Sequence, residues 1–585
     1  VESHFQSPSE IANYLNCERL TAQLLWSRGY RTVQAVEQLY NTDLANLPSP
    51  QTIVDLPKAA ARIADALERK EPIAVYGDYD VDGTCGASIF FDFFRQLGST
   101  ARVYQPNRFS EGYGVHSAAI RNLIKGEGHR IVITVDCGIT AVEPARVAKE
   151  LGADLIIVDH HKCGESLPEA FAVVDPQRPD DMSGLKTICG AGLAFFLIMA
   201  VRAELRNRDF FVRTGLREPN LLRFLDLVAV ATVADVMDLR GVNRTLVTHG
   251  LKILRTNPRP GLRAILAAAG IEKPTAMTCG FVIGPRINAA GRLKSAKTSF
   301  ELLTTEDYGS ALEFAQELEK FNLQRRETQN AVFESARQQA LEILAQPLPS
   351  DLPSAVAGPW PRALVLANPE WHEGVVGIVA SKLVEEFSRP VFVLTESEQR
   401  PGAFKGSIRS IAKIDILSVI SAQSVAQFLL NYGGHAHAGG VTLERERLED
   451  FTRALNEHLS ITTDQSHFTR EKFFDVDAVA SDITEKFLVE MDALEPFGHQ
   501  FPEPVLRLAA VDVQSFKVLK EKHVKLRVTG PRGVGVDAIW FNAFAKDPDL
   551  SPETVSSRAL FVTPQWNEWQ GMRRLQLKVH QSDLI

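Results

Sequence analysis

Four apolar runs stand close together in the first third of the chain: Ile73–Tyr76, Ile131–Val135, Leu155–Val158 and Phe171–Val174. None alternates with polar residues, and helical segments separate them. Strands buried on both faces read this way, whereas half-exposed strands alternate. Strand and helix in turn predict a parallel sheet covered on both sides. Each run ends in acid: Asp78, Asp80 and Asp82 after the first, Asp136 after the second, Asp159-His160-His161 after the third, Asp175 after the fourth. The polar clusters therefore sit at the carboxyl ends of the strands, where open α/β sheets place their ligands.

Three carboxylates at alternate positions in Gly77-Asp78-Tyr79-Asp80-Val81-Asp82-Gly83 repel one another and stabilise no fold. A multivalent cation turns that cost into a binding site, and carboxylate oxygens suit hard ions such as Mg²⁺ or Mn²⁺. Taken alone, DxDxDG is also calcium-loop chemistry, but the rest of an EF-hand loop does not follow; an apolar helix does. Four strand ends carrying acids are better explained by one site than by four separate caps. A further apolar run, Leu225–Ala234, reads as a helix and delivers Asp235 as the candidate closing ligand. Asp226 fits a helix N-terminal charge or a buried hydrogen-bonding group.

Elsewhere the pattern is less chemical. Ile11, Leu15, Leu20, Leu24 and Leu25 fall at helical spacings, so residues 1–45 are expected to be a packing extension of short helices. Ser310 to Gln346 contains neither Gly nor Pro and is rich in polar helix formers. As one helix it would reach about 55 Å, and its polar character suits a bridge between domains. A Pro-rich linker (347–361) follows, then a second α/β domain with strands near 363–367 and 391–394. From residue 468 short strand-like runs dominate, at 505–513, 524–528, 534–540, 559–563 and 575–579, and suggest a small barrel. Lys517, Lys520, Lys522, Lys525 and Arg527 cluster there beside Phe516, Trp540 and Phe541. Base stacking and phosphate attraction use such residues, although aromatics at these positions also serve as barrel core.

The 585 residues suffice for three or four domains. A net charge of −8 argues against a general basic coat but permits a local basic groove. No apolar run is long enough for a bilayer. Six cysteines without CxxC pairs argue against zinc and for a reducing cytoplasm; Cys137 and Cys163, beside the acids, read as packing residues.

GDYDVDG, VDCGI, DHHK and TVADVMDL, in this order, resemble the four motifs of the DHH phosphoesterase superfamily. Further stretches are similar to its bacterial RecJ branch of single-strand-specific 5′→3′ DNA exonucleases. These are Asn107–Gly114, Gly284–Leu293 (GPRINAAGRL) and Trp371–Ala380, and Gly433–Gly440 is similar to the glycine-rich signature of the DHHA1 domain. Two departures stand out. Tyr76 occupies a place where some members carry a ligating His, so Asp78 or water would fill that coordination position. Residues 496–504 lack a Gly-Asn pair expected of the family, which leaves the geometry of that loop open.

The resemblance implies a multidomain α/β protein. Its expected parts are an N-terminal helical extension (1–45), a DHH parallel-sheet catalytic domain (46–305), a connecting helix (306–346), the linker, a DHHA1 α/β domain (362–465) and a C-terminal OB-like β-barrel (466–585). It also implies hydrolysis of single-stranded DNA from a 5′ end, releasing mononucleotides in repair and recombination, with two divalent ions, Mn²⁺ or Mg²⁺. By the same resemblance Asp136 bridges the ions; Asp80, with Asp78, holds one, and Asp82, His160 and Asp235 hold the other. His161 is expected to face the scissile phosphate and Asp159 to orient His160. Arg108, Arg286, Asn288, Arg409, Ser410, Gly433, Gly434 and His435 are the expected grip on DNA, and the lysines and arginine of the barrel a second contact. A monomer working with a helicase and a single-strand-binding protein, away from membranes, completes the picture. A DHH enzyme acting on small oligonucleotides or cyclic dinucleotides, or a non-catalytic DNA-binding scaffold, remain the rival readings.

Overall fold

Three short helices open the chain in the computed structural model: α1 (Pro8–Leu15), α2 (Arg19–Ser27) and α3 (Val33–Tyr40). The structure describes all residues except 1–3, 109, 294, 347–359, 470, 472, 510, 530–532, 534, 570 and 585. The expected linker therefore lies almost wholly outside the described residues. The opening helices do not form a core of their own. Ile11, Leu24, Leu25 and Val36 share one buried cluster with Phe487, Leu494 and Phe501 near the other end of the chain.

The acid-tipped runs form the expected parallel sheet, β1 (Ile73–Gly77), β3 (Ile131–Val135), β4 (Asp154–Val158) and β5 (Ala172–Val174). A strand the pattern did not announce, β2 (Ala101–Tyr104), completes the order β2-β1-β3-β4-β5. It is an edge strand with only its first residue buried, so it lacks the continuous apolar run that marks its neighbours. Helices α4 (Val81–Gln96) and α5 (Gly190–Asn207) pack on this sheet, and α6 (Leu225–Ala234) packs against both of them. Asp226 is buried at the start of α6 and receives Arg259 bidentately at 2.9 and 3.1 Å. Arg259 also reaches Asp92 on α4, 3.1 Å away. The hydrogen-bonding reading of Asp226 is the one the structure displays.

The GPRINAAGRL stretch is α7 (Gly284–Leu293), and the connecting helix is α8 (Tyr308–Ala345), 38 residues long. One stripe of α8 is buried throughout. Ala311, Ala315 and Leu318 pack on the catalytic domain, and Val332, Ala336 and Ala340 on the second α/β domain. Between them the stripe turns polar, with Asn322 and Gln329. The second domain is a mixed sheet of order β6-β7-β8-β10-β9, from β6 (Leu364–Ala367), β7 (Val391–Glu396), β8 (Ala403–Arg409), β9 (Asn431–His435) and β10 (Ala438–Glu444). Helix α9 (Glu373–Phe387) covers it and touches α7. A Cβ at Gly374 would lie 2.4 Å from the Arg292 carbonyl oxygen, so only glycine lets the two domains approach so closely there.

The last domain is a seven-stranded sheet of order β11-β12-β16-β17-β15-β14-β13. Its strands are β11 (Val476–Ala478), β12 (Leu506–Leu508), β13 (Asp512–Leu519), β14 (His523–Thr529), β15 (Gly535–Trp540), β16 (Arg558–Trp569) and β17 (Met572–Leu584). The run expected as one strand over 505–513 is divided between β12 and β13. Among the described residues no helix is long and apolar enough to cross a membrane.

Candidate active site

The chain leaves β1 into the triple aspartate. A Cβ at Gly83 would fall 2.5 Å from the Asp78 backbone nitrogen, so glycine permits this tight exit. Asp80 caps α4 by accepting the Gly83 amide at 3.1 Å. Asp82 lies in the first turn, fully buried, and accepts the Gly190 and Ala191 amides at 2.6 and 2.8 Å. Those amides are the N-terminus of α5, a place that favours anions. Asp136 follows β3 with φ +62°, a left-handed backbone that aspartate tolerates better than most residues. Asp235 ends α6, and the next residue, Val236, is also left-handed at φ +57°.

These segments bring five acids and a histidine together. The His160 Nε2 lies 3.0 Å from Asp136 Oδ1 and 3.6 Å from both Asp82 and Asp235. Asp82, His160 and Asp235 can each aim a ligand atom at one point, and so can Asp78, Asp80 and Asp136. Asp136 and His160 also group with His161. Burial is the main reason that the carboxyls of Asp78, Asp82, Asp136 and Asp235 are raised above the carboxylate range, with mutual repulsion added; Asp235 reaches about 9. Burial also lowers His160, favouring the neutral, ligating imidazole. Asp78 Oδ1 and Asp235 Oδ2 are buried without a hydrogen-bond partner. Buried carboxylates in repulsion, with orphaned oxygens, fit divalent cations.

Asp159 corrects one expectation. Its Oδ1 accepts Nδ1 of His161 at 2.7 Å and the His160 backbone amide at 2.8 Å, while Oδ2 takes the Ile139 amide at 2.8 Å. It therefore orients the ring of His161, and of His160 it touches only the backbone. Burial pulls His161 down, but the bond and charge of Asp159, with Asp235 and Asp82 beyond, push it up to about 9. The Tyr113 hydroxyl lies against this ring, 3.4 Å from Nδ1. Tyr76 is buried and donates to the Gly114 carbonyl at 2.9 Å; it anchors the loop that carries Tyr113.

The expected grip on DNA divides. Arg108 stacks on the Tyr79 ring at 5.4 Å. Burial, followed by the charge of Arg108, lowers Arg409. Burial, Arg108 and Arg325 together lower Arg292 to about 10. These four cations crowd the space between the catalytic domain, α8 and the second domain. His435 faces it from the edge strand β9, lowered by burial, Lys162 and His161. Gly433 and Gly434 lie on the same exposed strand. Asn288 is half-buried on α7, one turn before Arg292. Two candidates are engaged elsewhere. Arg286 is paired with Glu319 of α8 at 2.5 Å and with the Val282 carbonyl, and the Ser410 hydroxyl donates to the Ile414 carbonyl at 2.8 Å.

Sequence reasoning passed over Arg292, Arg325 and Tyr113. Arg292 lies four residues beyond Asn288 in a stretch already singled out. Arg325 sits where the apolar stripe of α8 turns polar, bonded to Asn322 and Gln329 at 2.8 Å each.

On the last domain Lys517 and Lys525 are paired across β13 and β14, and Arg527 points to the same exposed face. Lys520 and Lys522 belong to the hairpin turn, where Lys520 and Glu521 are left-handed as in tight β-hairpins. Trp540 is core at 1% exposed, Phe516 packs against that core, and Phe541 is exposed beside His523.

Comparison with known proteins agrees with this layout. The model of the DHH family, N-terminal domain, matches residues 72–232, the DHHA1 domain 361–460 and the RecJ OB domain 474–581. The single-stranded-DNA-specific exonuclease RecJ of Bacillus subtilis is 33% identical over 97% of this chain and 68% of its own length. That of Escherichia coli is 33% identical over 95% of this chain and 94% of its own. The chain belongs to the RecJ family. Crystal structures of Thermus thermophilus RecJ with Mn²⁺ and with Mg²⁺ superpose with TM-scores of 0.78 and 0.73, at 30% and 28% identity. Each covers 99% of this chain, and the match takes in 78% and 77% of the crystallised chains. RecJ proteins thus bind both metals that the acid cluster fits, and the C-terminal sheet is the RecJ OB domain.

Proposed function

We propose that this RecJ-family chain is a metal-dependent, single-stranded-DNA-specific exonuclease that removes nucleotides from the 5′ end. The carrying observation is the pair of ligand groups, Asp78-Asp80-Asp136 and Asp82-His160-Asp235, that meet where His160 Nε2 lies 3.0 Å from Asp136. In this reading Asp78, Asp80 and Asp136 hold one Mn²⁺ or Mg²⁺, and Asp82, His160, Asp235 and Asp136 the other. When bound, such ions supply a nucleophile at neutral pH and neutralise charge at the phosphate.

The chain's own groups do the rest. Arg108, Arg292, Arg325 and Arg409 attract the terminal phosphate, relieving their mutual repulsion, with Gly433, Gly434 and His435 opposite. Asp159 fixes the His161 ring and keeps it protonated at neutral pH, so Nε2, beside the Tyr113 hydroxyl at 3.5 Å, can donate to a phosphate oxygen or the leaving oxygen. The narrow space between the two α/β domains admits one strand and excludes a duplex. The expected domain boundaries, action as a monomer in the cytoplasm, and cooperation with a helicase and a single-strand-binding protein belong to the same proposal; six free cysteines agree with a reducing compartment.

The test is Mn²⁺-dependent digestion of long single-stranded DNA labelled at either end, by wild type and Asp136→Ala. Stepwise loss from the 5′ end, abolished in the variant, is the expected result. Cleavage limited to very short oligonucleotides would overturn it.

A further inference from the structure

The ends of α4 and α6 that point away from the acids open onto a cavity of about 730 Å³. Its lining is Gln96, the loop 216–220, Arg223, Asp226 and the segment 257–260. Small-molecule sites typically enclose roughly 300–1,000 Å³. Along α4, Asp82 and Gln96 stand at opposite ends, about 21 Å apart at the usual rise per residue. We propose that this cavity binds a 5′-mononucleotide, the product of the hydrolysis assigned above, and that its occupancy weakens metal binding at the acid cluster. This rests on the nuclease reading.

Charge selects the ligand. Of the two carboxylates in the lining, Glu218 is committed to Arg202 and Arg206, and Asp226 to Arg259. Arg217 and Arg223 are exposed, and among the described residues neither has an ion pair; Arg223 leans on the Phe224 ring at 6.0 Å. Two uncommitted guanidiniums match the nearly double negative charge of a phosphomonoester. A di- or triphosphate would bring a divalent cation, and neither carboxylate is free to receive one. The rest of the lining suits a base. Pro258 and Pro260 are half-buried and offer apolar faces. The Asn220 Oδ1 accepts the Leu222 amide, and its Nδ2, like the Asn257 side chain, has no partner among the described residues. A carboxamide both donates and accepts, so it meets the edge of any base, as a product drawn from any sequence requires.

The floor carries the signal. Arg259 is buried there and holds Asp226 of α6 and Asp92 of α4. A smaller cavity of about 180 Å³ shares Arg223, Arg259 and Pro260 with the first and reaches Asp92 and Arg95. Burial raises the Asp92 carboxyl, and the charges of Arg259, Arg95 and Arg223 oppose it, so Arg223 already acts on the tie between the helices. A phosphate at this mouth competes with Asp226 and Asp92 for the arginines. It slackens the hold on the two helices, which deliver Asp80, Asp82 and Asp235 to the metals. Coupling between two sites is reciprocal, so bound metal lowers affinity for the mononucleotide by the same factor.

The experiment is calorimetric titration of the metal-free protein with deoxyadenosine 5′-monophosphate, and separately with deoxyadenosine and inorganic phosphate. The mononucleotide should bind at least about tenfold more tightly than either part, and the double variant Arg217→Gln, Arg223→Gln should lose that affinity. Both positions are exposed, so the variant should fold and should digest DNA like wild type while product is scarce. Mn²⁺ affinity, read from the paramagnetic signal of the free ion, should fall about fivefold in saturating mononucleotide. The same measurement on the double variant should show no fall, which separates coupling from capture of metal by the nucleotide. Equal binding of phosphate alone, or unaltered Mn²⁺ affinity, would overturn the proposal. So would a mononucleotide held by the double variant and lost in Arg108→Ala, which would place it in the cleft. If wild type digests no DNA, the nuclease reading fails, while the titrations still decide the cavity.

Discussion

Asp136 carries the densest conflict in the molecule. It is buried, it is left-handed, and Asp82, Asp80 and Asp235 all push its proton affinity upward. Function and stability therefore pull in opposite directions there. Asp136→Ala should lower Mn²⁺-dependent turnover at least a thousandfold, about 4 kcal/mol, in a nuclease assay. In a chelator the same variant should melt no lower than wild type, since a repelled carboxylate is gone. Added Mn²⁺ should raise the melting temperature of wild type far more than that of the variant. Asp159→Asn should act differently. It leaves the acid cluster whole but loosens His161, so turnover should fall about a hundredfold while the Mn²⁺-induced shift in melting temperature persists. The acids were legible in the sequence because each closes an apolar run. Which histidine Asp159 serves was not, because adjacent residues 160 and 161 differ only in the direction their rings take after the strand ends.

Helices α4 and α6 each hand acids to the site from one end, and Arg259 ties them together further along through Asp92 and Asp226. Removing one partner of a buried ionic group leaves the others uncompensated. Arg259→Met should cost about 3–5 kcal/mol in chemical denaturation and weaken Mn²⁺ binding, measured by titration, although residue 259 contributes no ligand. Arg292 shows the same principle across a domain boundary: its Nη1 donates to the Gly374 carbonyl at 3.1 Å while its charge faces Arg108. Arg292→Ala should raise KM for 5′-phosphorylated DNA and erase any preference over a 5′-hydroxyl end. The element pattern was read well wherever burial is two-sided or the helix long, as in β1, β3, β4 and α8. It failed at β2 and at β8 to β10, edge or half-exposed strands whose residues carry no continuous apolar signal.

On the scale of the whole molecule, the second domain and α8 form one jaw of the cleft, and the last domain is docked on the catalytic domain at Leu239 and Arg244. Arg244 is the clamp of that docking. Buried, it donates to the carbonyls of Leu39, Leu494, Glu495 and Pro496 at 2.8–3.3 Å. Arg244→Ala leaves these acceptors unpaired and should cost about 1–3 kcal/mol for each that stays dry. Affinity for long DNA should fall while hydrolysis of a dinucleotide survives, because no group of the proposed metal site touches Arg244. Nothing local announces this arginine. It lies on an ordinary amphipathic helix, and its partners are some 200 and 250 residues away. For the same reason residues 1–45 read only as a packing extension, with no local sign that their apolar faces belong to a core supplied largely by the other end of the chain.

That shared core has a consequence in time. Glu490 accepts the backbone amide of Glu18 across 472 positions of sequence, and Arg28 pairs with Asp475 at 2.7 Å. At about 5–20 residues per second of synthesis, the first helices wait roughly 25–95 s for the partners that bury them. Through that interval Ile11, Leu24 and Leu25 have no home on the ribosome, and they invite either a chaperone or each other. The slowest step in making this protein is thus expected to be the meeting of its first helices with its last domain, long after the catalytic sheet has closed.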